Sequence, residues 1–440
     1  MKIAIIGSGI SGLTCAYHLH QEHDITLFEA NDYVGGHSAT QQVKAQSGDY
    51  AIDTGFIVFN DRNYPHFTKL LNEIGVECQP TQMSFSVRNE QSQLEYNGHS
   101  ISSLFAQKSN LVRPSFYRFI FEIIRFNREA KEALAAQNLE GLSLADFLSR
   151  NHFSEYFCQN YILPMGAAIW SSTLADVREL PLRFFLQFFA NHGLLDLKNR
   201  PQWFVIKGGS REYVEKLIAP FKDKIRLNAP VEQVLRNENG VRLVVKGNVE
   251  SFDQVIFACH SDQALRLIDA PTEQERQILR AIPYQANEVM LHTDERLLPS
   301  RKKAWASWNY RLSEENQADS NPTTLTYNMN ILQDLGAPET FCVTLNQSAL
   351  IDSNKILKRL CYSHPNFSRE SLEAQQARAN ISGHNRSWFC GAYWYSGFHE
   401  DGVRSALDVV SELKNLAMMP AEEPKITTIE SEPEVMDEVS

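Results

Sequence analysis

The chain has 440 residues, 43% of them hydrophobic, and a formal charge of -11. That length exceeds one ordinary core and fits two domains, with apolar residues enough for both. From Pro420 onward seven acids face a single lysine, a net of -6, so the body carries -5 and has no basic domain suited to nucleic acid.

The tail at 420–440 is poor in large apolar residues and reads as disordered. The seven cysteines are scattered, with neither C-x-x-C spacing nor a histidine cluster for zinc, which suits buried free thiols in a reducing cytoplasm and predicts no metal site. Met1 to Leu19 has one lysine and an apolar run, as a secretion signal does, but it contains a glycine motif and lacks a small-residue cleavage site. No apolar run is long enough to span a bilayer.

Ile3 to Ile6 reads as a strand buried on both faces, and it runs into Gly7, Ser8, Gly9, Ile10, Ser11 and Gly12. In a strand, G-x-G-x-x-G, helix unit, the first glycine permits the tight turn. The second lets the backbone approach a pyrophosphate, and the third lets the helix pack close. The phosphates then lie at a helix N-terminus, where free N–H groups and the dipole favour an anion. A second strand, Ile25 to Phe28, ends in Glu29, at the distance where a carboxylate meets ribose hydroxyls.

After Glu29 and Ala30 come Asp32, Gly35, Gly36 and His37, and then DTGFIVFN from Asp53. Here the sequence resembles the flavin amine oxidase superfamily, which includes phytoene desaturases and protoporphyrinogen oxidases. There an E-A-x-x-x-x-G-G-R segment follows the first βαβ unit, and a D-x-G segment runs under the isoalloxazine ring. The resemblance implies FAD, with Gly35 and Gly36 at the pyrophosphate and Thr54, Gly55 and Phe56 near the ring. His37 replaces the usual arginine, so its phosphate contact is expected to be weaker and pH-dependent.

The likeness continues in pieces. Ile225 to Gly247 is similar to the strand pair in which Val231 holds the adenine edge, and Phe252 onward to its next strand and helix. SWFCGAYWYSGFHEDGVRSALDVVSEL resembles the family's closing motif, which implies that Gly391, Gly397, Phe398, His399, Gly402 and Val403 line the ring. A helix N-terminus there suits the negative charge of reduced flavin. The resemblance implies an α/β fold, with a Rossmann-type FAD-binding domain built on a parallel sheet and an α+β substrate domain. The FAD-binding domain is expected at 1–80, 201–275 and 380–419, and the substrate domain at 81–200 and 276–379.

Within the insertions, Ser115 to Ala130 reads as a helix with Phe116, Phe119, Ile120, Ile123 and Phe126 near one face and arginines elsewhere. It either faces a core or rests on an anionic membrane surface, which would make the protein peripheral at the inner face of the membrane. Leu182 to Leu195 is equally apolar and either lines a greasy pocket or packs the domain. Gly208-Gly209 precedes a helix that in the desaturase branch lies beside the flavin, or that Ser210 simply caps. On the Glu288 to His292 strand, amine oxidases of the superfamily often carry a lysine at flavin N5; this chain has Asn287, Glu288 and Val289 instead. His292 and Asp294, with Trp305, Trp308 and Asn309, are candidate pocket residues, and His292 and His399 are the candidate catalytic side chains.

DTGFIVFN, Trp203 to Tyr213, AWASWNY and GFHEDG together resemble a bacterial amine-oxidase-like subgroup whose members tend to be encoded near cyclopropane-fatty-acid-synthase-like enzymes. That resemblance implies lipid or acyl-chain modification, and together with the flavin motifs, the missing lysine and the aromatic insertions it leads to the expectation that the chain desaturates an acyl chain or lipid by hydride transfer, which needs only a C–H held against the flavin. The alternatives are an amine oxidase releasing hydrogen peroxide and a non-redox flavoprotein, either an isomerase or a binding module.

Overall fold

The computed structural model describes residues 1–313 and 321–418, so the acidic stretch from Pro420 lies outside the described residues. Its organising element is a five-stranded parallel sheet. Lys2–Ile6 lies between Asp24–Phe28 and Gln254–Phe257, with Ile225–Arg226 at one edge and Ser387–Phe389 at the other. Ile3, Ala4, Ile5, Val255, Ile256 and Phe257 are fully buried, as strands covered on both faces must be. The sheet thus joins the start, middle and end of the chain.

The helix Ile10–Leu19 packs on one side against the closing helix His399–Met418. The Ser11 hydroxyl donates to the Gly402 carbonyl at 2.9 Å, tying the two helices together. On the other side, Val231, Val234, Leu243 and Phe252 of the antiparallel meander 231–252 cover the sheet.

A second, seven-stranded sheet is mostly antiparallel. Its longest pairing joins Tyr284–His292 to Ile356–Pro365, and its far edge is Phe85–Asn89 with Leu94–Asn97. Against it sits a helical layer whose interior is aromatic. The helix Pro114–Ala136 buries Phe116, Phe119 and Phe126, and Leu182–Asn191 buries Phe185 and Phe189. Each such ring contributes roughly 2–3 kcal/mol on leaving water. Pro114 starts the first of these helices without costing a hydrogen bond, and Gln137 ends it at φ +56°.

Two expectations change. Ser210 makes no side-chain cap; its N–H and hydroxyl both donate to Asp53 Oδ1 at 2.8 Å. The glycine pair before it serves that join. A Cβ on Gly209 would lie 2.5 Å from Thr40 Cγ2, and neither glycine lines the cavity described below. The cysteines are all free thiols, but Cys78 and Cys361 are exposed rather than buried.

Candidate functional site

One cavity of about 1050 Å³ runs from the C-terminal ends of the parallel strands into the helical layer. Its first part is walled by backbone. Gly7 has φ +105°, and its N–H donates to the Phe28 carbonyl. A Cβ on Gly9 would meet nothing within 4 Å, so its Cα faces open space. On Gly12 a Cβ would lie 2.0 Å from the Gly7 carbonyl oxygen, which enforces the close fit of helix to turn. Gly36 crosses over Gly9, with only 3.1 Å between its ideal Cβ position and the Gly9 Cα.

Glu29 is buried at this end. One carboxylate oxygen accepts from the Ser8 N–H at 3.0 Å and its hydroxyl at 2.6 Å, and the other accepts from the Asn31 N–H and Nδ2 at 2.9 Å. Four donors fill the carboxylate. A ribose diol therefore reaches it by displacing a side-chain donor of Ser8 or Asn31.

His37 Nε2 is buried without a partner among the described residues. Burial, with His364 and His260 nearby, holds the imidazole at a pKa of about 3, so it is neutral. The ring can still donate one N–H to a phosphate oxygen.

The middle of the cavity gathers Gly55, Phe56, Gly391, Gly397, Phe398 and His399 from opposite ends of the chain. Gly55 is required, because a Cβ there would lie 2.1 Å from the His37 carbonyl oxygen. The His399 imidazole stacks on Phe56 at 3.7 Å, and its Nε2 bonds the Tyr213 hydroxyl at 2.8 Å. Tyr213 in turn bonds Ser38. Burial lowers the pKa of His399 to about 3, so it stands as a neutral, oriented ring. Asp53, beside this segment, is pushed up to about 6 by burial, although Thr40 and Ser210 donate to it.

Beyond Phe398 the wall becomes side chains. Ile120, Ile123, Met165, Ile169, Leu194 and Trp203 line it, joined by Trp308 and Tyr327 from the larger sheet. Glu29, at the opposite end, is the only carboxylate among the described residues lining the whole cavity. His192 also lines this arm, stacked on Phe188 at 3.8 Å, and its Nδ1 bonds the Phe188 carbonyl at 3.0 Å. A carbonyl only accepts, so the proton is on Nδ1 and Nε2 keeps a free lone pair. Burial lowers the pKa of His192 to about 4, so the ring is neutral.

Of the residues expected from sequence, Gly7, Ser8, Gly9, Ile10, Ser11, Glu29, Ala30, Gly35, Gly36, His37, Gly55, Phe56, Val231, Gly391, Gly397, Phe398 and His399 all line the cavity. Four do not. Gly12 and Gly402 give close helix packing, Val403 is in the core, and Thr54 donates to the Ala39 carbonyl at 3.1 Å.

His292 is also outside. Its Nε2 bonds Thr344 at 2.7 Å, and its Nδ1 accepts from the Asp294 N–H at 3.0 Å, so both nitrogens serve structure. Asp294 is held by Arg296, Trp305 bonds the Pro299 carbonyl, and Asn309 bonds backbone around Ala306; only Trp308 of that group reaches the cavity.

The sequence reading missed His192, Cys259, His260, Tyr362 and His364. Cys259 and His260 were findable, since they follow the C-terminal end of a parallel strand, where such sheets place ligands. The others come into place only through long-range packing.

Open space at Gly9, the unpartnered nitrogen of His37 and the crossing of Gly36 all fit a dinucleotide pyrophosphate. Residues 10–340 match the family model described as flavin containing amine oxidoreductase. A Mycobacterium tuberculosis protein named as a flavin-containing monoamine oxidase, AofH, is 24% identical over 289 residues, 63% of this chain and 61% of that protein. The match thus spans about three fifths of that relative's length.

Among solved structures, cyclohexylamine oxidase from Brevibacterium oxydans IH-35A superposes with a TM-score of 0.66 at 16% identity, covering 94% of this chain and 99% of that one. A CLA-producing fatty acid isomerase from P. acnes gives 0.68 at 16% identity, covering 93% and 98%. These two likenesses speak for the fold alone.

Proposed function

The chain belongs to the flavin-containing amine oxidoreductase family, and on that premise we propose that it is an FAD-dependent oxidoreductase that desaturates an acyl chain or lipid. The observation that carries this reading is the far arm, whose aliphatic and aromatic wall holds no carboxylate among the described residues. A protonated amine entering it would lose its hydration and meet no countercharge, which is costly. An acyl chain entering it gains about 0.8 kcal/mol per buried methylene. Arg200, at the exposed end of the arm, offers a cation to a carboxylate or phosphate head.

Bound FAD supplies an acceptor for the two electrons of a hydride. Everything else falls to this chain. Phe398 and Phe188, whose rings lie 4.9 Å apart, hold the apolar segment at the junction of the two halves. His192 stands at the same junction, 5.9 Å from the Phe398 ring, with Nε2 free to take the proton from the carbon next to the one losing hydride. One hydride and one proton leave, and the two carbons keep a second bond between them. The missing lysine on the Tyr284–His292 strand agrees with this reading, since Asn287 instead bonds Asn346 at 2.9 Å.

The test is native mass spectrometry of the purified protein with extraction of bound small molecules. FAD together with a fatty acid or phospholipid supports the proposal. FAD together with an amine and no lipid overturns it.

A further inference from the structure

Exposed apolar residues gather where the cavity opens. Among the described residues thirteen large apolar side chains are exposed, and seven of them lie between 101 and 124 or at 197, so the surface is asymmetric. Tyr117, Phe121 and Ile124 follow the i, i+4, i+7 spacing, so they share the solvent face of the helix Pro114–Ala136. Val112 is 82% and Ile101 80% exposed. The Tyr117 hydroxyl bonds the Leu111 carbonyl, which joins this face to the turn before the helix. Ile124 and Leu197 are both exposed and both line the cavity, so the patch is continuous with its mouth.

The charge on this stretch opposes that of the whole chain. Between Tyr96 and Phe121 there are Lys108, Arg113 and Arg118 and no acid, in a protein of net charge -11. Lys198 and Arg200 follow Leu197 on the other side of the opening. Lys108, Arg118, Lys198 and Arg200 are exposed. Apolar side chains ringed by cations, around the entrance to an apolar arm, match a surface with negative head groups over hydrocarbon. No helix among the described residues is long and apolar enough to cross a membrane, so the contact would be peripheral.

We propose that this rim docks on an anionic lipid bilayer, setting the cavity mouth against the leaflet so that an acyl chain passes from bilayer to cavity without crossing water. The substrate route rests on the function proposed above; the docking itself does not. A second copy of this chain is the rival occupant, but it would bring the same cations face to face with themselves.

The experiment is co-sedimentation of the full-length holoenzyme with sucrose-loaded vesicles. One set is of phosphatidylcholine alone and the other contains phosphatidylglycerol. The protein should pellet with the anionic vesicles and do so less as salt rises. Phe121→Ser with Val112→Ser should weaken the partition at least tenfold, and Lys108→Gln with Arg118→Gln by about fivefold per charge. All four positions are exposed or at the surface, so flavin absorbance and melting temperature should stay as in the wild type.

Protein left in the supernatant with both vesicle types overturns the proposal. So does binding that none of these substitutions changes. A dimer seen by sedimentation velocity, and dissolved by Phe121→Ser with Val112→Ser, assigns the patch to self-association instead. Vesicle binding with turnover of amines rather than lipids would leave the docking standing and sink the function proposed above.

Discussion

Where the cavity meets Gly9 and Gly36 its wall is backbone, and where it meets Ile123 and Met165 its wall is side chain. The first part is fixed by collisions. A Cβ at Gly12 or Gly55 would come within about 2 Å of a carbonyl oxygen, so almost any substitution is forbidden. The second part is fixed only by apolar character and volume, which many sequences satisfy. A cofactor shared by many proteins is therefore held by a demanding surface, and a substrate peculiar to one of them by a permissive surface.

Substitutions that separate the two parts sharpen that contrast. Gly12→Val should have the largest effect, with loss of bound flavin and of cooperative melting, because the side chain cannot enter without moving the Gly7 turn. Absorbance and circular dichroism check it. His192→Ala should keep the flavin yet lower kcat for an acyl substrate by roughly 10²–10⁴-fold, the range for a lost general base. Equal loss of flavin and of turnover would place His192 with the first part instead.

Ile123→Trp, which narrows the arm, should raise KM for long chains by about tenfold at a stability cost of roughly 1–3 kcal/mol, with the flavin spectrum unchanged. Glu29→Gln should act on the first part only. It removes an acceptor of charge-assisted bonds to Ser8 and Asn31, and should weaken FAD binding by roughly 1.5–3 kcal/mol with no change in chain-length preference.

The smallest effect concerns Asp53, whose pKa burial raises to about 6. The folded chain holds that proton more tightly than the unfolded one. Its contribution to stability is therefore fullest below the ordinary carboxylate pKa and falls as pH rises to about 6. Asp53→Asn keeps an oxygen for the Thr40 and Ser210 donors and cannot ionise. It should melt higher than the wild type above pH 6 and equal to it near pH 4, in thermal scans across that range.

The same contrast explains what could be read in the sequence. Gly7, Gly9 and Gly12 announce a parallel α/β sheet and a dinucleotide because their spacing carries the sterics directly, and a short buried strand precedes them. Gly36 and Gly55 were legible for the same reason. His192 was not, since only the packing of one aromatic helix against Phe398 gives it a place. His292 looked equal to it on paper, yet Thr344 and Asp294 consume both its nitrogens. A histidine's role depends on which atoms fold around it, and spacing along one chain does not record them.

The central claim is that an apolar arm without a carboxylate among the described residues delivers a C–H bond of an acyl chain to the flavin. Anaerobic titration of the holoenzyme, following the yellow flavin band, tests it most directly. Addition of fatty acid or phospholipid should bleach the band and yield a product poorer by two hydrogens, while primary amines leave the band unchanged. Bleaching by amines with no response to any acyl lipid would contradict it.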